Sequence, residues 1–262
     1  MPGAELDTPR ISIITVCHNS GHTILSTLSS VAVQTYDNIE HIIVDGGSAD
    51  NTVALVQGWR EHSVRLVSEP DEGIYDAMNK GIEMASGDII GFLNSDDLYA
   101  DATVLEQIAA AFRDRITDAC YADLVYVDRD DVGSVVRYWK SSDYKPGAFS
   151  AGWCPAHPTF YVRKAIFEKF GRFNLVYSLA ADADLMIRFL EKERISAVYI
   201  PRIWVKMRVG GQTNLSLGNI VQQNREILAS LRSHGFRVSR VKFVVMKIYS
   251  RIVQRWLTPC VR

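Results

Sequence analysis

The stretch Ile89-Ile90-Gly91-Phe92-Leu93-Asn94-Ser95-Asp96-Asp97 decides how this chain is expected to fold and where it is expected to bind a ligand. The apolar run at 89–93 predicts a buried strand, and the polar run at 94–97 follows it directly. Ligands of open α/β sheets bind in the crevice outside the carboxyl ends of the strands. Two adjacent carboxylates there are costly unless a cation compensates them, and a divalent ion carrying a diphosphate would do so. Taken alone, the same four residues could form a surface turn.

Upstream of this stretch, strand-like and helix-like segments alternate. Short apolar runs rich in β-branched residues predict strands at 11–16, 39–44 and 64–67. Apolar residues at helical spacing predict helices at 24–32, after Ser48, at 74–85 and at 102–112. This alternation favours an α/β fold, with a mostly parallel central sheet and helices on both faces. The second half is less regular, with a predicted hairpin over 121–139, a helix over 182–194, a strand over 197–200 and a helix near 219–233.

Polar residues also end the first two predicted strands. Asn19 lies in the loop 17–22, and Asp45 begins the run Asp45-Gly46-Gly47-Ser48. A carboxylate at this edge can accept a hydrogen bond from a nucleobase N–H or a ribose hydroxyl, although Asp45 alone could equally start a turn. The first loop has neither the G-x-G-x-x-G fingerprint nor a Walker sequence. Phosphate charge must therefore be met in another way, and a metal ion on Asp97 is the natural candidate.

Charge is distributed unevenly along the 262 residues, although the formal net charge is only −1. No Asp or Glu follows Glu226, whereas the basic residues beyond it are Arg232, Arg237, Arg240, Lys242, Lys247, Arg251, Arg255 and Arg262. An acidic body with a basic C-terminal segment suggests an anionic partner for that segment, either a membrane or a nucleic acid. Because no nucleic-acid-binding motif accompanies the charges, we expect no nucleic acid partner.

The four cysteines, Cys17, Cys120, Cys154 and Cys260, are widely spaced and form no C-x-x-C pair. This spacing supports neither a zinc cluster nor a redox motif, and reduced cysteines in a cytosolic protein are expected. Residues 1–10 contain no apolar core of a signal peptide, and no segment reaches the ~18 uninterrupted apolar residues of a spanning helix. The hydrophobic content of 47% is ample for one large α/β domain with an appendage.

Several segments together resemble the family 2 glycosyltransferases. They are Thr15–Asn19, Gln34–Tyr36, Glu40–Thr52 and Asn94–Asp97. The segment Glu69–Gly81 is similar to a bacterial branch that builds exopolysaccharide, O-antigen or related glycolipids. The resemblance spans roughly residues 10–210 and implies the GT-A fold, in which a nucleotide-binding half is merged with an acceptor half. We place these halves at about 10–115 and 116–235 of a catalytic domain over 1–235.

The resemblance also implies roles for individual residues at the sheet edge. Donor-binding positions carried over from the family are Thr15, Asn19, Asp45, Asn94, Asp96 and Gly211. Asp97 matches the family's metal ligand, with Asp96 and His157 as further candidates, and Mn²⁺ or Mg²⁺ is the implied cofactor. The first Asp of the family's usual D-x-D is Asn94 here, so Asp96 is expected to face the ribose and Asp97 the metal. Gly211 belongs to a late loop, 210–213, that resembles one closing over the donor.

The resemblance further implies an inverting transfer. Asp182 matches the catalytic base of inverting members, and Asp184 is the competing assignment; many relatives have Glu-Asp where this chain has Ala181-Asp182. The implied reaction moves a sugar from a UDP- or GDP-linked donor to a hydroxyl of a glycan or lipid-linked acceptor in cell-surface polysaccharide synthesis. A sugar nucleotidyltransferase is the rival enzyme class. An inactive membrane-bound scaffold with the same fold is the rival that is not an enzyme.

The C-terminal segment has the pattern of an amphipathic helix. At ~100° per residue, most basic residues of 237–257 fall on one side and the apolar residues on the other, with Lys242 as the exception. This pattern is typical of an interfacial helix on an anionic leaflet, and the alternative is a helix packed on the domain. We therefore treat 236–262 as a basic amphipathic tail that contacts an anionic membrane surface through residues 236–257. The protein is then expected in the cytoplasm, peripheral at the inner face of the cell membrane.

Overall fold

The computed structural model describes residues 8–210 and 217–256. Within these ranges the strands are β1 (Ile11–Cys17), β2 (Ile39–Asp45), β3 (Val64–Ser68), β4 (Ile89–Phe92), β5 (Leu98–Tyr99), β6 (Ala119–Val127), β7 (Val135–Trp139), β8 (Tyr161–Arg163) and β9 (Ala197–Arg208). The α-helices are α1 (Ile24–Ala32), α2 (Thr52–Gly58), α3 (Ile74–Met84), α4 (Val104–Ala111), α5 (Lys164–Phe170), α6 (Ala181–Met186), α7 (Leu217–Ser233) and α8 (Arg240–Trp256). The strands form one sheet in the order β3-β2-β1-β4-β8-β6-β9-β5, with β7 beside β6.

The first half of the chain forms a parallel part of the sheet, as its alternating pattern predicts. β1 pairs in parallel with β2 and β4, and β2 pairs in parallel with β3. The register places Cys17 opposite Asp45, and β4 ends opposite Ile14, after which Leu93 and Ser95 still donate backbone hydrogen bonds to β1. The polar loops that follow β1, β2 and β4 therefore leave the sheet along one edge.

The second half of the chain makes the sheet mixed. β8 runs antiparallel to β4 and β6, β7 forms the predicted hairpin with β6, and β9 runs parallel to β6. β9 is much longer than the strand predicted at 197–200, because pairing resumes beyond a bulge at Pro201. Ala122 lies opposite Ile200, and the next residue of β6 lies opposite Ile203. A proline at a bulge interrupts the local apolar pattern without ending the strand.

Helices cover both faces of the sheet. One face packs on α3 and α7 through buried side chains such as Met78 and Leu231. The other face packs on α1 and α4, for example through Val31. The helix predicted over 182–194 is present as α6 followed by a wider, π-helical segment, Ile187–Lys192. Such segments are frequent near functional sites.

The C-terminal helix α8 packs on the domain with its less apolar side. Phe243 is buried, and Lys247 Nζ donates a hydrogen bond to Asn224 Oδ1 of α7 at 2.7 Å. The outward side is apolar, with exposed fractions of 40% to 75% for Val241, Val244, Val245, Met246, Ile248, Tyr249 and Ile252. α8 therefore packs on the domain, as in the alternative that the sequence leaves open, but it does so without burying its apolar side. In the described part of the chain, no helix has both the length and the apolar character needed to cross a bilayer.

Candidate active site

The loops after β1, β2 and β4 contact one another directly. The hydroxyl oxygens of Ser20 and Ser95 share a hydrogen bond of 2.7 Å between the first and the third of these loops. Asn19 joins the first loop to the second. Its backbone N–H donates to Ser48 Oγ at 2.7 Å, and its Oδ1 accepts the backbone N–H of Ala49 at 2.9 Å. The three polar clusters that the sequence places at strand ends thus lie together at one edge of the sheet.

Asp45 is fully buried, and its carboxylate organises the loop that follows it. Oδ2 accepts the backbone N–H of Ser48 at 3.0 Å and the hydroxyl of Ser68 at 2.7 Å, and Oδ1 accepts the Ser48 hydroxyl. Burial alone would raise the pKa of Asp45, but the hydrogen bonds from Ser48 and Ser68 outweigh it and lower the pKa. Asp45 is therefore not an exposed carboxylate: it anchors the 45–48 loop from within, and its contact with a nucleobase stays a prediction.

The segment after β3 closes over the second loop. A Cβ atom on Gly46 would collide with the carboxylate of Asp71. Gly47 has a φ of +78°, which disfavours other residues, and it lies in contact distance of Pro70. Gly46 therefore leaves room for the Asp71 side chain, and Gly47 allows the turn beside Pro70, so the segment that leads into α3 lies against the loop after β2.

Thr15 is fully buried, and its hydroxyl lies 2.9 Å from His41 Nε2. His41 Nδ1 lies 2.8 Å from His62 Nε2, and His62 Nδ1 accepts the indole N–H of Trp59 at 3.1 Å. Burial, with the charge of His62 adding to it, lowers the pKa of His41 to about 3. The side chain of Thr15 is thus engaged inside the sheet. The predicted contact between Thr15 and the donor stays a prediction.

The loop Asn94–Asp97 contains polar atoms that the folded chain leaves without partners. Asp97 is fully buried, and neither carboxylate oxygen has a partner with normal hydrogen-bond geometry among the described residues, although the Arg208 backbone and the Asn94 side chain lie close enough to offset part of its raised pKa. Oδ1 of Asn94 is buried and unpaired in the same way. Burial, and then the charge of Asp96, raise the pKa of Asp97 well above its usual value. A buried set of unpaired oxygens fits a Mg²⁺ or Mn²⁺ ion, whose charge would compensate the carboxylate.

A buried arginine that the sequence pattern does not single out supports this loop. The guanidinium of Arg208 donates to the backbone oxygens of Asp96 at 2.6 Å and Arg129 at 3.1 Å, and to Ser26 Oγ at 3.1 Å. Its positive charge partly offsets the burial that raises the pKa of Asp96 and Asp97. Arg208 is the last residue of β9, so only the long-range pairing of that strand brings it here.

The late loop predicted to close over the donor begins just after β9. Gly210 has a φ of +112°, a conformation that favours glycine. Gly211 and the residues up to 216 lie outside the described residues. The donor-binding role of Gly211 therefore stays a prediction.

His157 packs behind the loop rather than among its oxygens. Its ring stacks on Phe92 with centroids 5.3 Å apart and meets Phe173 edge-on at 5.5 Å. Burial lowers the pKa of His157, and the charge of Asp182 opposes this shift. In residues 8–210 and 217–256, no group of three or more His, Cys, Asp and Glu side chains is placed to hold a metal ion. His157 therefore packs against aromatic rings, and the structure does not bring it into a metal-binding cluster with Asp97.

Asp182 lies near the start of α6 and is half-buried. Its Oδ1 accepts the hydroxyl of Tyr75 at 3.0 Å and the backbone N–H of Ala183 at 2.8 Å. The charge of Asp182 acts on His157, which in turn stacks on Phe92, the last residue of β4. The acid and the loop that follows β4 therefore border the same region of the molecule.

Asp184 points away from this region, toward α7. It is 1% exposed, and its Oδ1 accepts the Ser230 hydroxyl at 2.6 Å and bonds His234 Nε2 at 3.0 Å. Burial would raise the pKa of Asp184, but hydrogen bonds from His234 and Ser230 lower it. Asp184 is thus committed to holding α7 in place. Of the two candidates for the base, the geometry favours Asp182.

The fold and the site together define a GT-A glycosyltransferase. Polar loops meet at one edge of a parallel half-sheet, a buried carboxylate without partners follows β4, and a second acid borders the same region from the other half. The sequence model described as "Glycosyl transferase family 2" matches residues 12–170, and the chain belongs to this family. The family and fold class predicted from the sequence are confirmed.

Known proteins agree with this assignment. The chain is 31% identical over 251 residues to the PGL/p-HBAD biosynthesis glycosyltransferase of Mycobacterium bovis (strain BCG), covering 94% of this chain and 93% of that relative. It is 34% identical over 113 residues to the UDP-Glc:alpha-D-GlcNAc-diphosphoundecaprenol beta-1,3-glucosyltransferase WfgD of Escherichia coli, covering 43% and 45%. The mannosyltransferase PcManGT from Pyrobaculum calidifontis, solved in complex with GDP-Man and Mn²⁺, has a similar fold, with a TM-score of 0.67 at 17% identity, covering 95% of this chain and 71% of that one.

Proposed function

We propose that this chain is an inverting glycosyltransferase that moves a sugar from a UDP- or GDP-linked donor to a hydroxyl group of a glycan or lipid-linked acceptor. The observation that carries the proposal is the fully buried, unpaired carboxylate of Asp97 in the loop that meets the other strand-end loops. A cation is the group that best compensates such a carboxylate, and a divalent cation can also hold a diphosphate. The names of two relatives support this reading: WfgD is named for UDP-Glc, and PcManGT was solved with GDP-Man and Mn²⁺.

The donor would meet the exposed rim of the three loops. Asn19 is exposed, and Asn94 and Asp96 are half-buried, so their side chains can reach a ribose or a phosphate. Asp45 would act indirectly, by fixing the backbone of its loop through Ser48. Asp45 would therefore not contact the donor through its side chain, because Ser48 and Ser68 already donate hydrogen bonds to its carboxylate.

Asp97 would hold the divalent ion, with the unpaired Oδ1 of Asn94 as a further ligand. When bound, such an ion supplies positive charge that stabilises the leaving diphosphate. Either Mn²⁺ or Mg²⁺ suits a set of oxygen ligands. Arg208 would contribute by fixing the backbone of Asp96 in the loop that meets the ion.

Asp182 would act as the general base. Its carboxylate takes the proton of the acceptor hydroxyl while that oxygen forms a bond to the anomeric carbon. The bond from the anomeric carbon to the diphosphate breaks on the opposite side, and its electron pair leaves with the nucleoside diphosphate. Attack from the opposite side inverts the configuration of the anomeric carbon. Because Tyr75 and Ala183 both bond Oδ1, the carboxylate is held in one orientation for this step.

A screen of nucleotide sugars tests the proposed function. We expect UDP- or GDP-sugars to raise the melting temperature of the purified protein by several degrees with Mn²⁺, and by much less with EDTA. We also expect slow, metal-dependent release of the nucleoside diphosphate in the absence of acceptor. A nucleotidyltransferase would instead make a nucleotide sugar from a nucleoside triphosphate and a sugar 1-phosphate. An inactive scaffold would show neither stabilisation nor hydrolysis, and either result would overturn the proposal.

The outward side of α8 is proposed to rest on an anionic membrane. An apolar strip that includes Val245 and Ile248 faces away from the domain, and the exposed side chains of Arg237, Arg240 and Lys242 lie along the same segment. Positive charge around an apolar strip matches the headgroups and acyl chains of an anionic leaflet. This arrangement would place residues 236–262 at the cytoplasmic face of the membrane, where a lipid-linked acceptor is presented.

Charges introduced on this strip should weaken membrane binding. Val245→Asp combined with Ile248→Asp removes apolar area at positions that are 58% and 54% exposed, so the fold should tolerate both changes. We expect affinity for phosphatidylserine-containing vesicles to fall about tenfold or more. Val33→Asp, at a position 62% exposed beyond the end of α1, is the matched control and should bind as the wild type does. Equal vesicle binding by all three proteins, or a wild type that forms dimers and ignores vesicles, would contradict the membrane proposal.

A further inference from the structure

The two oxygens of the Asp182 carboxylate have different surroundings. Oδ1 accepts two hydrogen bonds, from the Tyr75 hydroxyl at 3.0 Å and from the backbone N–H of Ala183 at 2.8 Å. Among the residues that the structure describes, no hydrogen bond to Oδ2 is present. Oδ1 of Asp182 is therefore held by the folded chain, while Oδ2 is left for a bound group.

Tyr75 itself is firmly placed. Its ring stacks on Phe173 with centroids 5.5 Å apart. The side chain of Asn79, one turn further along α3, binds the backbone of Phe173 twice: Nδ2 donates to the carbonyl oxygen at 3.0 Å, and Oδ1 accepts the N–H at 2.9 Å. Burial, and then the charge of Asp182, raise the pKa of Tyr75 well above its usual value, so the phenol keeps the proton that it donates.

The bond also joins the two halves of the enzyme. Tyr75 lies on α3, in the half that carries the donor loops, and Asp182 lies 107 residues later on α6. The start of α3 is fixed by its own preceding segment, in which Asp71 Oδ1 accepts the Gly73 N–H at 2.9 Å. The same Asp71 packs against Gly46 of the second donor loop. The position of the Tyr75 hydroxyl is therefore set by the donor half of the molecule.

We infer that Tyr75 is a positioning residue for the transfer reaction: its hydroxyl holds Oδ1 of Asp182 so that Oδ2 takes the proton of the acceptor hydroxyl. The inference rests on the proposed function, because it assigns Asp182 as the base. Tyr75 does not itself exchange a proton with the substrate. It restricts the rotation of the carboxylate, which would otherwise present either oxygen or neither to the acceptor.

Tyr75→Phe tests the inference, because it keeps the ring on Phe173 and removes only the hydroxyl. We expect kcat for sugar transfer to fall about 10- to 100-fold, the range for loss of a hydrogen bond to a charged group. The acceptor KM and the donor dissociation constant should stay close to the wild-type values, while the melting temperature should fall by a few degrees, as the loss of one hydrogen bond requires. Tyr177→Phe is the matched control, since that hydroxyl lies 3.4 Å from Ser233 Oγ on α7. It should leave kcat unchanged.

The outcomes separate this inference from the proposed function. If Tyr75→Phe transfers sugar at the wild-type rate while Asp182→Asn is inactive, the positioning role is wrong and the proposed function stands. If Tyr75→Phe lowers kcat only in parallel with donor affinity and melting temperature, Tyr75 is structural and the inference is again overturned. If both Tyr75→Phe and Asp182→Asn remain fully active, Asp182 is not the base and the proposed mechanism fails as well.

Discussion

Replacing Asp97 with asparagine is expected to stabilise the metal-free protein and to abolish its response to a divalent ion. The carboxylate of Asp97 is fully buried and neither oxygen has a partner among the described residues, so it destabilises the fold in the absence of a cation. An amide of the same shape removes the charge, and we expect the free energy of unfolding in EDTA to rise by about 1–3 kcal/mol. An amide lacks the negative charge that holds a divalent ion most strongly, so the ion should bind much more weakly and sugar transfer should fall about a hundredfold or more.

Asp123→Asn is the matched control, because Asp123 is equally buried but fully bonded. It is 1% exposed, and its oxygens accept the hydroxyls of Tyr138 and Tyr199 and the backbone N–H of Ser141. Its replacement should lower the free energy of unfolding by about 1–3 kcal/mol and leave the response to Mn²⁺ intact. Urea unfolding in EDTA and in Mn²⁺ measures both quantities. If Asp97→Asn is destabilised in EDTA, or if it still responds to Mn²⁺, Asp97 does not bind the metal ion.

Asp182→Asn should nearly eliminate sugar transfer while donor binding stays intact. The amide keeps the shape of the side chain but cannot take a proton from the acceptor hydroxyl, and a general base contributes about 10²- to 10⁴-fold to the rate. Titration calorimetry with the nucleotide sugar and Mn²⁺, in the absence of acceptor, should give a dissociation constant close to that of the wild type. Loss of transfer without loss of donor affinity is the result that identifies a base.

Asp184→Asn provides the comparison for this variant. Asp184 bonds Ser230 and His234, so its replacement should lower the free energy of unfolding by about 1–3 kcal/mol while the folded fraction keeps most of its activity. If Asp182→Asn loses donor affinity as strongly as activity, Asp182 is a structural residue. If Asp184→Asn loses transfer without any loss of stability, the base is Asp184.

Local sequence patterns were sufficient to predict the parallel half of the sheet. Strands β1 to β4 are short apolar runs, and each ends in polar residues that mark the functional edge. Alternation with helices makes their parallel arrangement nearly unavoidable. The meeting of Asn19, Ser48 and the Asn94–Asp97 loop follows from that arrangement, because neighbouring parallel strands bring their carboxyl ends together.

The same sequence patterns do not predict which groups surround each side chain in the folded protein. Arg208 bonds the backbone of Asp96, which lies 112 residues earlier, and no motif surrounds it. Asp45 looks like an exposed loop carboxylate until Ser68, from the next strand, completes its hydrogen bonds. The amphipathic pattern predicted helix α8 but left open whether the helix contacts a membrane or packs on the domain, and Phe243 packs it on the domain with the apolar side outward. Each of these outcomes depends on contacts between distant parts of the chain.

The hydrogen bonds that link Trp59, His62, His41 and Thr15 all run in one direction, because an indole N–H can only donate a hydrogen bond. That fixes which nitrogen carries hydrogen in each imidazole, with His41 Nε2 pointing its N–H at Thr15. With its pKa lowered to about 3, His41 is uncharged at physiological pH. The hydrogen bond from His41 to Thr15, beneath the first donor loop, should therefore keep its direction at neutral pH.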